Sequence, residues 1–390
     1  MLRVASSGTP AQARTARPAL RPCFPTIYAS VTGRHDKRRA RRPAGAVASA
    51  LANNSHLTEY ICDGPLLKSC GIAPQQVVSR LDSWVELGEL LSKQLRFDHA
   101  QLNDSQRARI YHYYLPVYFW VHDQLQQHKA SGSPHAMVVG ISAPQGCGKT
   151  TLVEQLQQLF SATGSAAASV SVDDFYLTFK DQTALAARHP DNPLLQYRGN
   201  AGSHDLELGS SSLRALRGLR QPGQTAAVPR YDKSAHGGRG DRAPPSSWPQ
   251  VQGPLEVVLF EGWMSGFKPL EQDQAAAQVH PGLPAVNAAL RPYEAAWDSL
   301  VDCWLVVRIE DPAWVTRWRQ QAEVAMRAQG RPGLSEEQVA DFVSRFMPAY
   351  KAYLPGLYKQ GPTTARPGHT LVIEVDQNRS PVQNQPAAVL

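Results

Sequence analysis

Two absences bound this sequence before any motif is read. No segment approaches the ~18 consecutive apolar residues that a membrane-spanning helix needs, so no membrane partner is expected. The five cysteines, Cys23, Cys62, Cys70, Cys147 and Cys303, form no CxxC pair. A zinc site or a disulfide framework is thereby set aside, and reduced, inert thiols are the expectation. A third scarcity is local: residues 1–58 hold ten Lys and Arg but a single acid, Asp36. Of the 40 basic and 33 acidic residues in the chain, 30 and 32 remain beyond this leader, so the net charge of +7 belongs to the leader. The rest of the chain carries no basic excess, and no nucleic-acid partner is expected.

The leader is rich in Arg, Ala, Ser and Thr and has no continuous apolar stretch. That is the composition of an organelle transit peptide rather than of a secretory signal, with a disordered basic tail as the alternative. Cleavage is expected between 30 and 60. The remaining length suffices for one large domain or two ordinary ones, and 42% apolar residues supply a sizeable core.

Behind the leader, Val77, Val78, Leu81, Trp84, Val85, Leu87 and Leu91 recur at helical spacing. ARIYHYYLPVYFWVHDQL (108–125) continues that pattern, with Pro116 as a kink or boundary and His112 as a core group. Polar QQHKASGSPH (126–135) reads as a linker. Five short apolar runs follow: MVVGI (137–141), ASVSV (168–172), EVVLF (256–260), CWLVVRI (303–309) and TLVIEV (370–375). Bounded by turns and alternating with helices, they indicate an α/β fold with a parallel sheet covered on both faces. Ligands gather at the carboxyl ends of such strands. The polar stretches 197–208 and 229–250 lack periodicity and are read as functional loops.

The stretch VVGISAPQGCGKTTLVEQL (138–156) fits the phosphate-loop pattern G-x-x-x-x-G-K-[ST], with Ala143 in the first glycine place. Ala143, Pro144, Gln145, Gly146, Cys147, Gly148, Lys149, Thr150 and Thr151 are the expected nucleotide cradle. Its backbone N–H groups and the following helix N-terminus form an anion nest. Lys149 would reach the β- and γ-phosphates, and the Thr150 hydroxyl would ligate Mg²⁺. Glu261, after VVLF, stands where phosphate-loop proteins place a metal-facing carboxylate. Asp173 is the candidate acceptor of the proton of an attacking hydroxyl, and also a metal-side candidate. Asp174 is the second choice, and helix capping by one of the pair is the alternative. DPAWVTRWRQQAEVAMR (311–327) reads as a helical lid whose Arg317 and Arg319 stabilise the transferred phosphoryl group, or as a solvated basic face. Arg230, Lys233, Arg239 and Arg242 crowd one loop, and Arg198 and His204 lie on the other. Several such groups beside a phosphate site favour a small carboxylate or phosphate acceptor.

SAPQGCGKTTL, SVDDFYLT, YRGNAGSHDL, PRYDKSAHGGRGDRA, LFEGWMSGFKPL, FVSRFMPAYKAYLPGLY and TLVIEVDQNRSPV, in this order over about residues 57–385, together resemble the plant-type D-glycerate 3-kinases. The wider group is similar to uridine kinase, phosphoribulokinase and pantothenate kinase. The resemblance implies ATP- and Mg²⁺-dependent conversion of D-glycerate to 3-phosphoglycerate in photorespiration, in the chloroplast stroma, and a monomer is expected. It also implies a transit peptide over 1–56, an N-terminal helical segment over 57–130 and a phosphate-loop kinase domain over 131–390. By similarity, Asp173 is the base and Glu261 the metal-side acid. GSHDL and PRYDK supply the acceptor positions, with Arg198, His204, Asp205, Arg230, Tyr231 and Lys233 as candidates. Rival readings are a uridine or other small-alcohol kinase on the same scaffold, and a nucleotide-switch ATPase. No N-K-x-D or LSGGQ-like signature of the latter class occurs.

Overall fold

The structure is a computed structural model that describes residues 55–330 and 333–383. Apart from its last residues, the leader of 1–56 lies outside the described part, as does Cys23. The main sheet has five parallel strands: β1 Met137–Ser142, β2 Ala167–Ser171, β3 Val257–Gly262, β4 Cys303–Ile309 and β5 Thr370–Val375. Their order across the sheet is β2-β3-β1-β4-β5. The five apolar runs of the sequence are these strands, shifted by at most two residues at an end. β1 is buried along its whole length, as a central strand covered on both faces must be. It pairs in register with β3 (Met137 with Val257, Ser142 with Gly262) and with β4 (Val139 with Cys303). The carboxyl ends of β1, β2 and β3 therefore open side by side.

The helix Lys149–Ala162 leaves β1 and buries Leu152, Val153, Leu156, Leu159 and Phe160, its apolar stripe. The N-terminal stripe is not one helix but two, Pro74–Ser79 and Leu81–Gln94, broken at Arg80. The break turns Val78 outward, 62% exposed, while Val77, Trp84, Leu87 and Leu91 are buried. Between the helices Asp104–Ala108 and Leu115–Ala130 the chain widens into a π turn, Arg109–Tyr114. Pro116 offers no N–H to the turn before it and crowds it, which accounts for the irregularity there. His112 stacks on Tyr60 at 4.1 Å and its Nε2 donates to the Tyr60 carbonyl (2.6 Å), a packing role as expected. Tyr118 packs edge-on against Phe160 and donates to the Thr163 hydroxyl at 2.9 Å. The N-terminal helices thus share one core with the sheet and brace the helix that follows the phosphate loop.

The stretch 225–252 is not structureless. Thr225–Ala227 pairs antiparallel with Gln250–Gln252, and Tyr231–Asp232 with Asp241–Arg242. The second pair makes 230–242 a short strap. The other polar stretch pairs with the turn after β2: Leu177 N donates to Ser203 O (2.9 Å), Asp205 N donates to Phe175 O (2.7 Å), and Tyr176 bridges His204.

Candidate active site

Gly146 and Gly148 take φ of 82° and 96°, a region that excludes most side chains, and so turn the loop between β1 and its helix. Four distant groups hold that loop. Ala143 N donates to Gly262 O at the end of β3 (3.2 Å), and Gln145 N to the Tyr350 hydroxyl (3.0 Å). Arg379 Nε donates to Gly146 O (2.6 Å). Trp318 packs so close to Gly146 that a Cβ there would sit 2.7 Å from the tryptophan Cβ. Cys147 is buried inside the loop, and burial pushes its thiol up to about 11, a resting group rather than a redox switch. Thr150 and Thr151 stand in the first turn of Lys149–Ala162, with Thr150 exposed.

Lys149 Nζ lies 2.6 Å from the Glu261 carboxylate. Burial works against the ammonium, but Glu261 and Asp173 outweigh it and its pKa is raised. Glu261 is therefore at the mouth of the phosphate loop, as its place after VVLF predicts.

The two aspartates after β2 have separate environments. The turn Val172–Phe175 is closed by a capping box: the Ser171 hydroxyl accepts from Asp173 N (3.2 Å), and the Asp174 carboxylate accepts from Ser171 N (3.4 Å). Asp174 also pairs with Arg230 at 3.2 Å, and burial raises it to about 6 despite that cation. Asp173 accepts from the Tyr176 hydroxyl (2.8 Å) and from Lys233 Nζ (2.5 Å). Burial opposes its charge, yet Lys233 and Lys149 together hold it down to about 2. The capping role thus falls to Asp174, and Asp173 faces the phosphate-loop lysine.

The expected acceptor residues divide into groups that reach the carboxylates and groups that shape the strap. Lys233, whose side chain is 59% exposed, and Arg230 belong to the first. Arg198 belongs to the second: its guanidinium donates to the carbonyls of Gly238 (2.9 Å), Arg239 (2.5 Å) and Lys233 (3.3 Å). Its fork is committed to backbone, so it fixes the strap. Asp205 caps the helix Leu206–Arg217 through Leu208 N (3.0 Å) and pairs with Arg242 at 3.0 Å. Arg239 lies over the rings of Phe179 and Tyr197. Tyr231 packs edge-on against Tyr176 at 5.3 Å. His204 is buried and stacked on Tyr176 at 4.6 Å, and burial lowers its pKa to about 4 although Asp173 opposes this.

The helix Trp314–Ala328 forms where the lid is expected, but its two candidate arginines, Arg317 and Arg319, make other contacts. Arg317 donates to Gln377 (2.8 Å), and Arg319 pairs with the buried Glu323 and lies over Phe342. Trp318, between them, meets the phosphate loop at Gly146.

The profile described as the Phosphoribulokinase / Uridine kinase family matches residues 138–270, the span from β1 past β3. A chloroplastic D-glycerate 3-kinase of Arabidopsis thaliana is 49% identical over 359 residues, covering 91% of this chain and 78% of that protein. The chain belongs to the D-glycerate 3-kinase family. A D-glycerate 3-kinase structure from Cryptococcus neoformans is 35% identical and superimposes with a TM-score of 0.63, covering 69% of this chain and 97% of that one. An uncharacterized kinase of Schizosaccharomyces pombe, mug58, is 36% identical over 66% of this chain and 93% of its own length. The parallel sheet and phosphate loop of this D-glycerate 3-kinase family member are thus a kinase scaffold. Sequence reading missed three residues that hold the phosphate loop: Trp318, Tyr350 and Arg379. Each reaches it from a distant segment, and none lies at a spacing that marks it. The only signal was that all three fall inside the quoted stretches, Trp318 between Arg317 and Arg319.

Proposed function

We propose that this chain transfers the γ-phosphoryl group of ATP to the 3-hydroxyl of D-glycerate, in a plastid and specifically its stroma. One observation carries the reading: the Asp173 carboxylate lies where the charges of Lys149, on the phosphate loop, and Lys233, on the acceptor strap, converge on it. A group in that place can take the proton of a hydroxyl aimed at a phosphorus held in the loop.

The loop N–H groups and Lys149 hold the polyphosphate, with Lys149 exchanging Glu261 for phosphate oxygens. Among the described residues no group of three or more His, Cys, Asp or Glu is placed to hold a metal ion. Two carboxylates and a hydroxyl at the loop suit Mg²⁺, which keeps several waters and takes one or two carboxylates beside nucleotide phosphates. Thr150, Glu261 and Asp173 are the residues that would hold it, and the ion would neutralise charge on the phosphates. On the acceptor side, Lys233 and Arg230 exchange their aspartates for the carboxylate of glycerate. That exchange frees Asp173 as the base and favours an acid over a neutral alcohol. Tyr231 of the strap is packed against Tyr176, and Tyr197, 43% exposed, is covered by the guanidinium groups of Arg239 and Arg345, which disfavours a nucleobase acceptor.

A coupled ADP-release assay on the mature chain with D-glycerate, glycerol and uridine tests the reading. D-glycerate is expected to be the fastest acceptor. Uridine or glycerol outpacing it would overturn the proposal, and turnover indifferent to all three would point to a nucleotide switch.

A further inference from the structure

His204 is held from three sides. Backbone pairing sets it opposite Tyr176, whose ring stacks on it and whose hydroxyl holds Asp173. Tyr293 and Trp297 meet it edge-on at 5.7 and 6.0 Å. His204 is 5% exposed, its Nδ1 lies 2.8 Å from the Tyr293 hydroxyl, and its Nε2 is enclosed with no hydrogen-bond partner. The Tyr293 oxygen also accepts the N–H of Gly202 at 2.9 Å.

A neutral imidazole carries its proton on one nitrogen, and the bonds on the page choose which. If Tyr293 donates to Nδ1, its oxygen still takes the Gly202 N–H, and only the Nε2–H is left without a partner. If Nδ1–H donates to Tyr293 instead, two groups are stranded, the Nε2 lone pair and the phenolic hydrogen. Each stranded buried group costs free energy, so the first arrangement prevails. Burial of the ring holds it neutral in either case. A second enclosed polar atom without a partner, the Tyr231 hydroxyl, sits on a ring packed against the same Tyr176. Two unmade hydrogen bonds thus flank the residue that holds Asp173, one of them on the strap that Lys233 ties to that carboxylate.

We propose that Tyr293 is a positioning residue for phosphoryl transfer: it fixes His204 as the Nε2–H tautomer, and that N–H is the donor kept for an oxygen of a small hydroxy-acid acceptor. The inference rests on the proposed function and adds what reads the acceptor from below. When the acceptor draws Lys233 and the strap away from Asp173, its oxygens supply the partner that Nε2–H lacks. The N–H donates without transferring its proton, and Asp173 stays the base.

The experiment is ¹⁵N NMR of histidine-labelled full-length protein, with His204→Gln to assign the signal, joined to steady-state kinetics. Expected are a pyridine-type Nδ1 and a pyrrole-type Nε2 for His204, and a shift of the Nε2 signal on adding D-glycerate. Tyr293→Phe keeps the ring; it should mix the tautomers and raise KM for D-glycerate about tenfold, the worth of one hydrogen bond, with KM for ATP unchanged. His204→Gln retains an N–H and should keep more of the wild-type affinity than His204→Phe, which fills the space without one. A pyrrole-type Nδ1, a signal indifferent to D-glycerate, or a His204→Phe protein with wild-type KM would each overturn the inference alone, leaving a packing ring. Wild-type protein that leaves D-glycerate unphosphorylated would take down the proposed function and this inference with it.

Discussion

The two ends of the cleft are built from different materials. At the phosphate end, the contacts are backbone amides turned inward by Gly146 and Gly148 and anchored to β3, Tyr350, Arg379 and Trp318. At the proposed acceptor end, they are long side chains in ion pairs, Lys233 with Asp173 and Arg230 with Asp174. A polyphosphate is the same in every turnover, and a rigid nest of N–H groups binds it with little reorganisation beyond the proposed exchange of Lys149 from Glu261 to phosphate. An acceptor must enter and leave while the base is kept from water, and charge pairs that swap partners suit that task. Rigidity belongs where the ligand is constant, and exchange where it turns over.

The sharpest way to break this contrast is Lys149→Ala. Removing the ammonium that the rigid end offers to the phosphates is expected to abolish transfer to the limit of detection in the coupled assay. Near-normal turnover would show that the loop does not work as described. Asp173→Asn comes next, with a loss of ~10²–10⁴ in kcat, the range of a general base, and nucleotide affinity by calorimetry preserved. If Asp174→Asn alone shows that loss, the two acids have exchanged roles. The third test is acid stability. His204 is neutral when folded, with its pKa near 4, and titrates near 6.5 when unfolded. Between those values the unfolded chain binds the extra proton, so stability is lost as pH falls from 6.5 to 4, by about 3 kcal/mol. Chemical denaturation across that window should show a shallower acid slope in His204→Gln; an identical slope would refute a buried neutral ring. The smallest expected effect is Arg198→Ala. Loosening the strap should raise KM for D-glycerate about tenfold, as lost hydrogen bonds to charged groups do, while KM for ATP stays unchanged. A drop in ATP affinity instead would mean that the two ends are mechanically one.

The same division decides what was legible in the sequence. The five strands and the phosphate loop follow from local signals, apolar runs ending at small residues and glycines at fixed offsets, and these survive folding because they are backbone features. Glu261 was legible because a strand end dictates its position. The acceptor side was legible as a charge pattern, but not as a set of pairs. Nothing in the spacing of Arg198, Arg230, Lys233 and Arg242 tells which binds carbonyl oxygens and which a carboxylate, since the choice depends on how the strap closes. Arg319 carries a local signal of its pairing: Glu323 stands four residues on, the spacing at which a helix pairs charges. Tyr293 and Tyr350 were out of reach, because each acts on a backbone group or ring far away in sequence.

The cysteine sealed within the phosphate loop offers a last consequence. With its thiol protonated and shielded, Cys147 should ignore alkylating reagents while the loop keeps its shape. The mass gained by the peptide that carries it then becomes a clock, ticking only when the cradle momentarily unwinds, and slower the longer a nucleotide sits inside.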